Sequence, residues 1–190
     1  TWLADLDRPG TPPKKTFDLG TQDFYNDPGH PVLTTLGNGE RVVLQDGDWI
    51  YLEGIGASPR GDHPFLDRLN LKTGRKKRLF QYQDPALETF VDFDGASRTR
   101  IITSRETRRE PPNYYLYNLA SGKRRALTDF KDPAPQLTGI TKDRIHYRRD
   151  DGLDLSGTLY LPKGHPPGVR LPVVIWAYPI EFGDAASAGQ

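Results

Sequence analysis

The chain has 190 residues, 35% of them hydrophobic, so it is expected to fold as one domain or two small ones and not to remain disordered. Its 26 Lys and Arg residues stand against 25 Asp and Glu, and the net charge of +1 excludes the broad basic field that drives nucleic-acid binding. The absence of cysteine excludes disulfides, thiolate metal sites and a cysteine nucleophile, and does not distinguish between cellular compartments.

Glycine and proline are spread along the whole chain. The 19 Gly and 17 Pro predict many turns between short elements and argue against long helices. The longest apolar run, 171–180, is interrupted by two prolines and is far shorter than the roughly 20 residues of a membrane span, so no membrane partner is expected. The chain begins at Thr1, lacks methionine and carries no signal segment, and is therefore expected to be an internal piece of a longer product.

The first clear strand pattern begins at residue 41. β-Branched and aromatic residues at 41–44 and 49–52 flank an Asp-Gly turn signal at 45–48. This pattern predicts a hairpin in which 41–44 pairs with 49–52.

An internal repeat is the stronger signal. Segment 113–122 resembles segment 65–74 at an offset of 48 residues, and each copy runs from a strand through a Thr-Gly or Ser-Gly turn into a basic stretch. A recurrence near 50 residues made of short strands is typical of a β-propeller blade, with two unrelated hairpins as the alternative. The basic stretches at 75–78 and 123–125 are expected to be solvated strand edges.

The character of the chain changes after the Asp-Pro-Ala-Pro segment at 132–135. We therefore predict two parts, 1–137 and 138–190. In the second part, alternating residues at 144–149 and 155–161 predict a hairpin. The unbroken apolar run at 173–178 predicts a strand buried on both faces, as in the centre of an α/β sheet.

Catalytic motifs are sparse. The Gly-x-Ser-x-Gly elbow of α/β-hydrolases is absent, and Ser58, in the nearest approach to it, is expected to lie in a structural loop. The four histidines lack metal-ligand spacing, and no cofactor is expected. Tyr178 ends the predicted buried strand, where its phenol could donate a hydrogen bond to a developing negative charge; the alternative is that it packs under Pro179.

Segments 150–162 and 171–182 resemble the opening of the catalytic domain in serine peptidases of the prolyl oligopeptidase family. The resemblance implies a mainly β chain, with partial β-propeller blades followed by the first strands of an α/β-hydrolase domain. In that family the propeller restricts access to a Ser-Asp-His triad. The more specific matches are to the glutamyl endopeptidase branch and lie at 23–29, 64–67, 176–182 and 188–190.

The same resemblance implies the roles of individual residues. The family's oxyanion-hole tyrosine maps onto Tyr178, although many relatives have glycines where this chain has 179–181. The triad residues lie downstream of positions like Gln190, so the segment alone is expected to be inactive. The implied partners are a peptide substrate, cleaved after acidic residues, and the rest of the polypeptide or another copy covering open strand edges. A non-catalytic propeller module, or a dipeptidyl or acylaminoacyl peptidase of the same family, are the alternatives.

Overall fold

The computed structural model describes residues 1–82 and 85–177. They form two compact units, Thr1–Phe130 and the described residues from Lys131 onward. Apart from two 3-10 turns, Phe24–Asn26 and Pro135–Leu137, the regular structure is all strand, which confirms the predicted mainly β fold. In this described part, no helix is both long and apolar enough to cross a bilayer.

The first unit holds thirteen of the described strands. In chain order they are β1 (Trp2–Leu3), β2 (Lys14–Lys15), β3 (His30–Pro31), β4 (Leu33–Thr35), β5 (Arg41–Val43), β6 (Gln45–Asp46), β7 (Trp49–Gly54), β8 (Phe65–Asn70), β9 (Lys76–Gln81), β10 (Leu87–Phe93), β11 (Arg100–Glu106), β12 (Asn113–Asn118) and β13 (Arg124–Ala126).

Two antiparallel meanders dominate this unit. The first sheet has the order β3-β7-β8-β9, with β6 also pairing with β7. The second sheet has the order β10-β11-β12-β13, so every neighbour in space is a neighbour in sequence. The second sheet therefore forms from local pairings alone, whereas the first also needs the more distant pairing of β3 with β7.

The pairing of residues 41–43 differs from the prediction. Arg41 to Val43 pair with Leu33 to Thr35, and only Gln45 and Asp46 pair with the start of β7. The hairpin β4–β5 is thus inserted between β3 and β6, which both lie along the same edge of β7. The predicted hairpin from 41–44 to 49–52 was wrong in its first strand, because the Leu36–Glu40 turn returns the chain on itself before β7 begins.

The two copies of the predicted repeat fold into the same turn. Asn70 and Asn118 end β8 and β12, and in both the side-chain Oδ1 accepts hydrogen bonds from the backbone N–H groups two and three residues later. The donors are Lys72 and Thr73 in the first turn and Ala120 and Ser121 in the second. Gly74 and Gly122, at φ 71° and 68°, donate back to the carbonyls of the two asparagines. Positive φ at that position explains the glycine in both copies.

A hydrophobic core lies between the two sheets. Leu66 and Ile101 are fully buried, and they cluster with Val32, Tyr51, Phe80 and Phe90. Edge-to-face rings extend the cluster, with centroids 4.8 Å apart for Tyr51 and Phe93 and 5.2 Å apart for Phe80 and Tyr117. The opposite face of the first sheet buries Ile50, Leu52 and Leu69 under Phe17 from the amino-terminal segment. Burial on both faces makes the first sheet the centre of the unit.

The described part of the second unit contains one hairpin, β14 (Thr141–Arg148) and β15 (Asp154–Leu161), as predicted. The strand predicted at 173–178 is not formed over its described residues. Residues 171–177 lie outside regular structure, and Val174 and Ile175 are 91% and 83% exposed. A strand buried on both faces needs neighbours on each side, and none of the described residues supplies them.

Candidate functional site

A cleft of about 390 Å³ opens beside β8 and β9 in the first unit. It joins segments that are far apart in the chain: residues 25–27, the loop at 56–58, His63 and the exposed ends of Lys76 and Arg78. We call it the Phe65 cleft, because the ring of Phe65 forms part of its lining.

Glycines leave room around the Phe65 ring. Phe65 is 5% exposed, and a Cβ on Gly54 would come within 2.7 Å of its ring atoms. A Cβ on Gly29 would lie 3.2 Å from the same ring and 2.5 Å from the Glu53 carbonyl oxygen. Side chains at these positions would collide with the ring, so the backbone approaches Phe65 as only glycine permits.

A fully buried carboxylate positions two cations at the cleft. Asp67 accepts two hydrogen bonds from Arg78, through Nε and through Nη2, the latter at 3.2 Å. The Nζ atom of Lys76 lies 3.4 Å from the second carboxylate oxygen of Asp67. The side chain of Asp67 is 0% exposed, whereas those of Lys76 and Arg78 are 45% and 38% exposed. A buried charge of this kind needs its partners, which fixes the two cations locally.

A β-bulge sets this alignment. Leu66 pairs with Phe80 and Asp67 pairs with Arg78, so Leu79 is the extra residue of β9. The bulge brings Arg78 opposite Asp67, while Lys77 pairs with Arg68 on the other face of the sheet. Residues 75–78 are exposed on an edge strand, as expected, and Lys76 and Arg78 in addition pair with Asp67.

The two cations also lie over an aromatic ring. The guanidinium carbon of Arg78 is 4.4 Å from the Phe65 ring centroid, and Lys76 Nζ is 5.9 Å from it. These distances are within the range of cation–π attraction. The two cations thus cover the buried Phe65 ring, and the carboxylate of Asp27 lines the same cleft.

Ser58 and His63 both line the Phe65 cleft, but Ser58 has a structural role. Its Oγ donates to the Gly61 carbonyl at 2.7 Å and accepts from the Arg60 backbone N–H at 3.2 Å. The His63 ring stacks on Tyr82, with centroids 5.8 Å apart. The hydroxyl of Ser58 closes its own loop, in agreement with the structural loop expected from the sequence.

Two side chains on β7, Tyr51 and Glu53, have shifted pKa values. Glu53 lies opposite His30, and burial raises the pKa of its carboxyl; His30 acts in the other direction and Asp92 in the same one. Burial also raises the pKa of Tyr51, against the opposing effect of Arg98. Arg98 Nη1 lies 2.9 Å from Asp46 and so links the β10–β11 loop of the second sheet to the first sheet.

Tyr178, the one catalytic residue predicted from the sequence, lies outside the described residues. Sequence reasoning missed the Phe65 cleft, because its walls come from separate loops and its cations depend on the bulge at Leu79. The sequence signal nearest to the cleft is the segment at 64–67, which indicated a resemblance to the glutamyl endopeptidase branch and not a cleft. Among the described residues, no group of three or more His, Asp or Glu is arranged to hold a metal ion.

Two curated proteins match this chain along its whole length. The chain is 37% identical, over its whole length, to a probable chloroplastic glutamyl endopeptidase of Oryza sativa subsp. japonica, and 33% identical to one of Arabidopsis thaliana. It spans 22% of the length of each relative. No family model matches the chain.

Two solved structures of the AtxE2 isopeptidase are also similar. The S527A variant with astexin3-dC4 bound matches 78% of this chain and 24% of its own, with 20% identity and a TM-score of 0.39. The apo form matches 75% and 23%, with 19% identity and a TM-score of 0.36.

The resemblance to the prolyl oligopeptidase family of peptidases, which the sequence predicted, is confirmed by the two relatives that match along the whole chain. Within that family it is similar to the glutamyl endopeptidases, of whose length it spans about a fifth.

Proposed function

We propose that the chain is a segment of a serine endopeptidase that hydrolyses peptide bonds after acidic residues. The observation that carries this proposal is the match along the whole chain to two probable glutamyl endopeptidases. Because the chain spans 22% of each relative, the activity is proposed for the complete polypeptide that contains the segment.

In this proposal the two meanders are consecutive blades of a β-propeller that restricts access to the active site. The second sheet has four strands, and the first has four in its main order with β6 as a fifth. This order and the shared Asn-Leu-x-Thr/Ser-Gly turn support the assignment, since propeller blades are repeated four-stranded sheets. Residues 138–190 are the start of the α/β-hydrolase domain. The proline-rich segment at 132–135 and the nearby division between the two compact units support a boundary in this region.

The proposed chemistry is acyl transfer through a Ser-Asp-His triad outside this segment. The serine attacks the scissile carbonyl, the histidine takes the serine proton, and negative charge develops on the carbonyl oxygen. The phenolic O–H of Tyr178 donates a hydrogen bond to that oxyanion, and a backbone N–H beside the serine donates a second one. An oxyanion donor without a nucleophile and base supports no turnover, so residues 1–190 alone are inactive in this proposal.

The test combines covalent labelling with substrate profiling. The complete polypeptide is treated with a fluorophosphonate probe and digested, with residues 1–190 as the control. The proposal expects a labelled serine in the complete polypeptide and none in residues 1–190. It also expects cleavage of a peptide with Glu before the scissile bond and much slower cleavage of its Gln counterpart. The absence of label in both would instead support a non-catalytic propeller module.

A further inference from the structure

We propose that Asn38, in the turn between β4 and β5, is a site of spontaneous covalent modification. Its carboxamide reacts with the backbone nitrogen of Gly39 and is converted to aspartate and isoaspartate. The reaction uses only residues of this turn and does not depend on the proposed peptidase activity. The β4–β5 hairpin contributes no lining residue to the Phe65 cleft, so the modification site is separate from it.

Asn38 differs from the other asparagines in the residue that follows it. The asparagines of the chain are Asn26, Asn38, Asn70, Asn113 and Asn118, and only Asn38 precedes a glycine. Glycine has no side chain to shield its backbone nitrogen, and its backbone rotates more freely than that of other residues. A Cβ on Gly39 would meet nothing within 4 Å, so the space beside its nitrogen is open.

The side chain of Asn38 is bent towards the nitrogen that attacks it. Asn38 Oδ1 accepts the backbone N–H of Glu40 at 3.0 Å, and Asn38 Nδ2 donates to Glu40 Oε2 at 3.0 Å. A side chain that bonds two residues ahead forms an Asx turn, which carries its carboxamide carbon towards the intervening nitrogen. The Glu40 N–H also faces the oxygen on which negative charge develops, as an oxyanion donor does.

The reaction balances with water as its co-reactant. The Gly39 nitrogen loses its proton to solvent and bonds to Asn38 Cγ, the bond from Cγ to Nδ2 breaks, and Nδ2 leaves as ammonia with a proton from water. Water then opens the resulting succinimide ring. Breaking the new bond between nitrogen and Cγ yields aspartate, and breaking the bond between nitrogen and the main-chain carbonyl carbon yields isoaspartate.

One hydrogen bond opposes this reaction, and the fold makes that bond easy to open. The Gly39 N–H donates to the Leu36 carbonyl at 2.9 Å. This bond lies in an exposed turn of the β4–β5 hairpin, which forms a two-stranded sheet of its own. Isolated two-stranded sheets are only marginally stable and open locally at a small cost in free energy. The Gly39 nitrogen is therefore released without unfolding of the core.

The turns of Asn70 and Asn118 show the contrast. Both side chains bond two residues ahead, as Asn38 does. The nitrogens that follow them belong to Leu71 and Leu119, whose side chains shield the approach. Both nitrogens also donate to backbone carbonyls of neighbouring segments, at 2.8 and 3.0 Å, beside sheets of five and four strands. The same Asx geometry is thus expected to be unreactive in these two turns.

The products change the turn in which they form. Either product places a carboxylate where Nδ2 donated to Glu40, so an attraction becomes a repulsion between like charges. Isoaspartate also routes the main chain through its own side chain and lengthens the turn by a methylene group. Modification should therefore loosen the pairing of Leu33–Thr35 with Arg41–Val43.

The experiment follows the complete polypeptide during incubation for several days at neutral pH and physiological temperature. Digestion and mass spectrometry locate a mass gain of about 1 Da, and chromatography against synthetic standards separates aspartyl from isoaspartyl peptides. Asn70 and Asn118 serve as references in the same digest. The variants are Gly39→Ala and its control Gly37→Ala, which adds the same methyl group to the same turn, also with nothing within 4 Å.

Asn38 should be modified at least about tenfold faster than Asn118, with isoaspartate among the products. Gly39→Ala should slow the reaction about tenfold, and Gly37→Ala should leave its rate within about twofold. Strain at residue 39 would open the turn and speed the reaction, so slowing by Gly39→Ala reports the shielding of the nitrogen.

Three results would overturn the proposal. The first is a rate at Asn38 no higher than that at Asn118, which would mean that the turn protects its asparagine. The second is aspartate as the sole product, which indicates direct hydrolysis without attack by the Gly39 nitrogen. The third is equal slowing by Gly39→Ala and Gly37→Ala.

Discussion

Arg78 holds the wholly buried carboxylate of Asp67 across the bulge at Leu79, and this is the structural centre of the Phe65 cleft. Removing Arg78 leaves the buried carboxylate of Asp67 with only the longer contact to Lys76, whereas replacing both Asp67 and Arg78 by apolar residues leaves no buried charge. Arg78→Met should therefore cost about 2–4 kcal/mol of folding free energy, and the double variant Asp67→Leu/Arg78→Met should recover most of it.

Urea unfolding of the two variants measures this difference. Arg75→Met, an exposed position in the same basic run, is the control and should change the stability by less than about 0.5 kcal/mol. A double variant no more stable than Arg78→Met would show that the buried charge is not the source of the cost.

Substituting the asparagines of the two turns should have unequal effects on stability, because the two asparagines differ in burial. Asn70 is 9% exposed and also accepts the Thr73 hydroxyl, whereas Asn118 is half-buried. Asn70→Ala should cost about 1–2 kcal/mol and Asn118→Ala less, because each loses two backbone hydrogen bonds but only Asn70 also loses the bond from a hydroxyl, and its bonds are partly buried. Asn70→Asp retains the acceptor oxygen and should recover much of the loss. Thermal unfolding midpoints test the order, and a failure of Asn70→Asp to recover stability would argue against the turn as the cause.

Gly29 and Gly39 provide a matched pair with φ of 89° and 87°. An alanine at either position carries the strain of a left-handed backbone, about 1–2 kcal/mol. Only at Gly29 would the new Cβ also meet backbone, 2.5 Å from the Glu53 carbonyl oxygen. Gly29→Ala should therefore lower the unfolding midpoint more than Gly39→Ala. Equal midpoints would mean that the chain around Phe65 can yield.

Glu53 should make stability depend on pH. Burial raises the pKa of its carboxyl above the ordinary value of 4.5, so the folded state binds its proton more tightly than the unfolded state does. The resulting stabilisation is present in acid and is lost as the pH rises through the folded-state pKa. Glu53→Gln removes the charge and should stabilise the protein at neutral pH, by less than about 1 kcal/mol because solvent screens this partly exposed group.

The measurement is the difference in urea midpoint between Glu53→Gln and the unmodified protein at about pH 4 and about pH 7.5. The difference should be larger at the higher pH. Glu40→Gln, at an exposed residue of the β4–β5 turn, is the control for the general effect of removing one negative charge. A difference that is larger in acid would contradict the direction assigned to Glu53.

Tyr178→Phe tests the proposed oxyanion contact in the complete polypeptide. Loss of one oxyanion donor should lower kcat by roughly tenfold to a thousandfold and leave KM nearly unchanged. Tyr160→Phe, at an exposed position in β15, is the control for loss of a phenol. Steady-state kinetics on a glutamyl peptide gives both constants, and an unchanged kcat would remove Tyr178 from the mechanism.

Local patterns in the sequence determined the elements that depend on neighbouring residues. The recurrence of segment 65–74 at 113–122 predicted two equivalent strand–turn–strand units, because an asparagine followed by Thr-Gly or Ser-Gly encodes the turn within five residues. The alternating patterns at 144–149 and 155–161, on either side of the turn at 150–152, predicted β14 and β15 for the same reason. The resemblance to the prolyl oligopeptidase family was also readable from motifs that lie in continuous stretches.

Tertiary structure alone decided where distant residues meet. Residues 41–43 pair with β4, which precedes them in the chain, and not with β7. Strand propensity identifies residues 41–43 as a strand but does not specify the strand with which they pair. Arg78 faces Asp67 only because a single extra residue shifts the register of β9, and a shift of one residue moves a side chain to the other face of a sheet. The Phe65 cleft joins loops separated by about 30 positions in the sequence. The burial of Asp67 that fixes its cations exists only when both faces of the first sheet are covered.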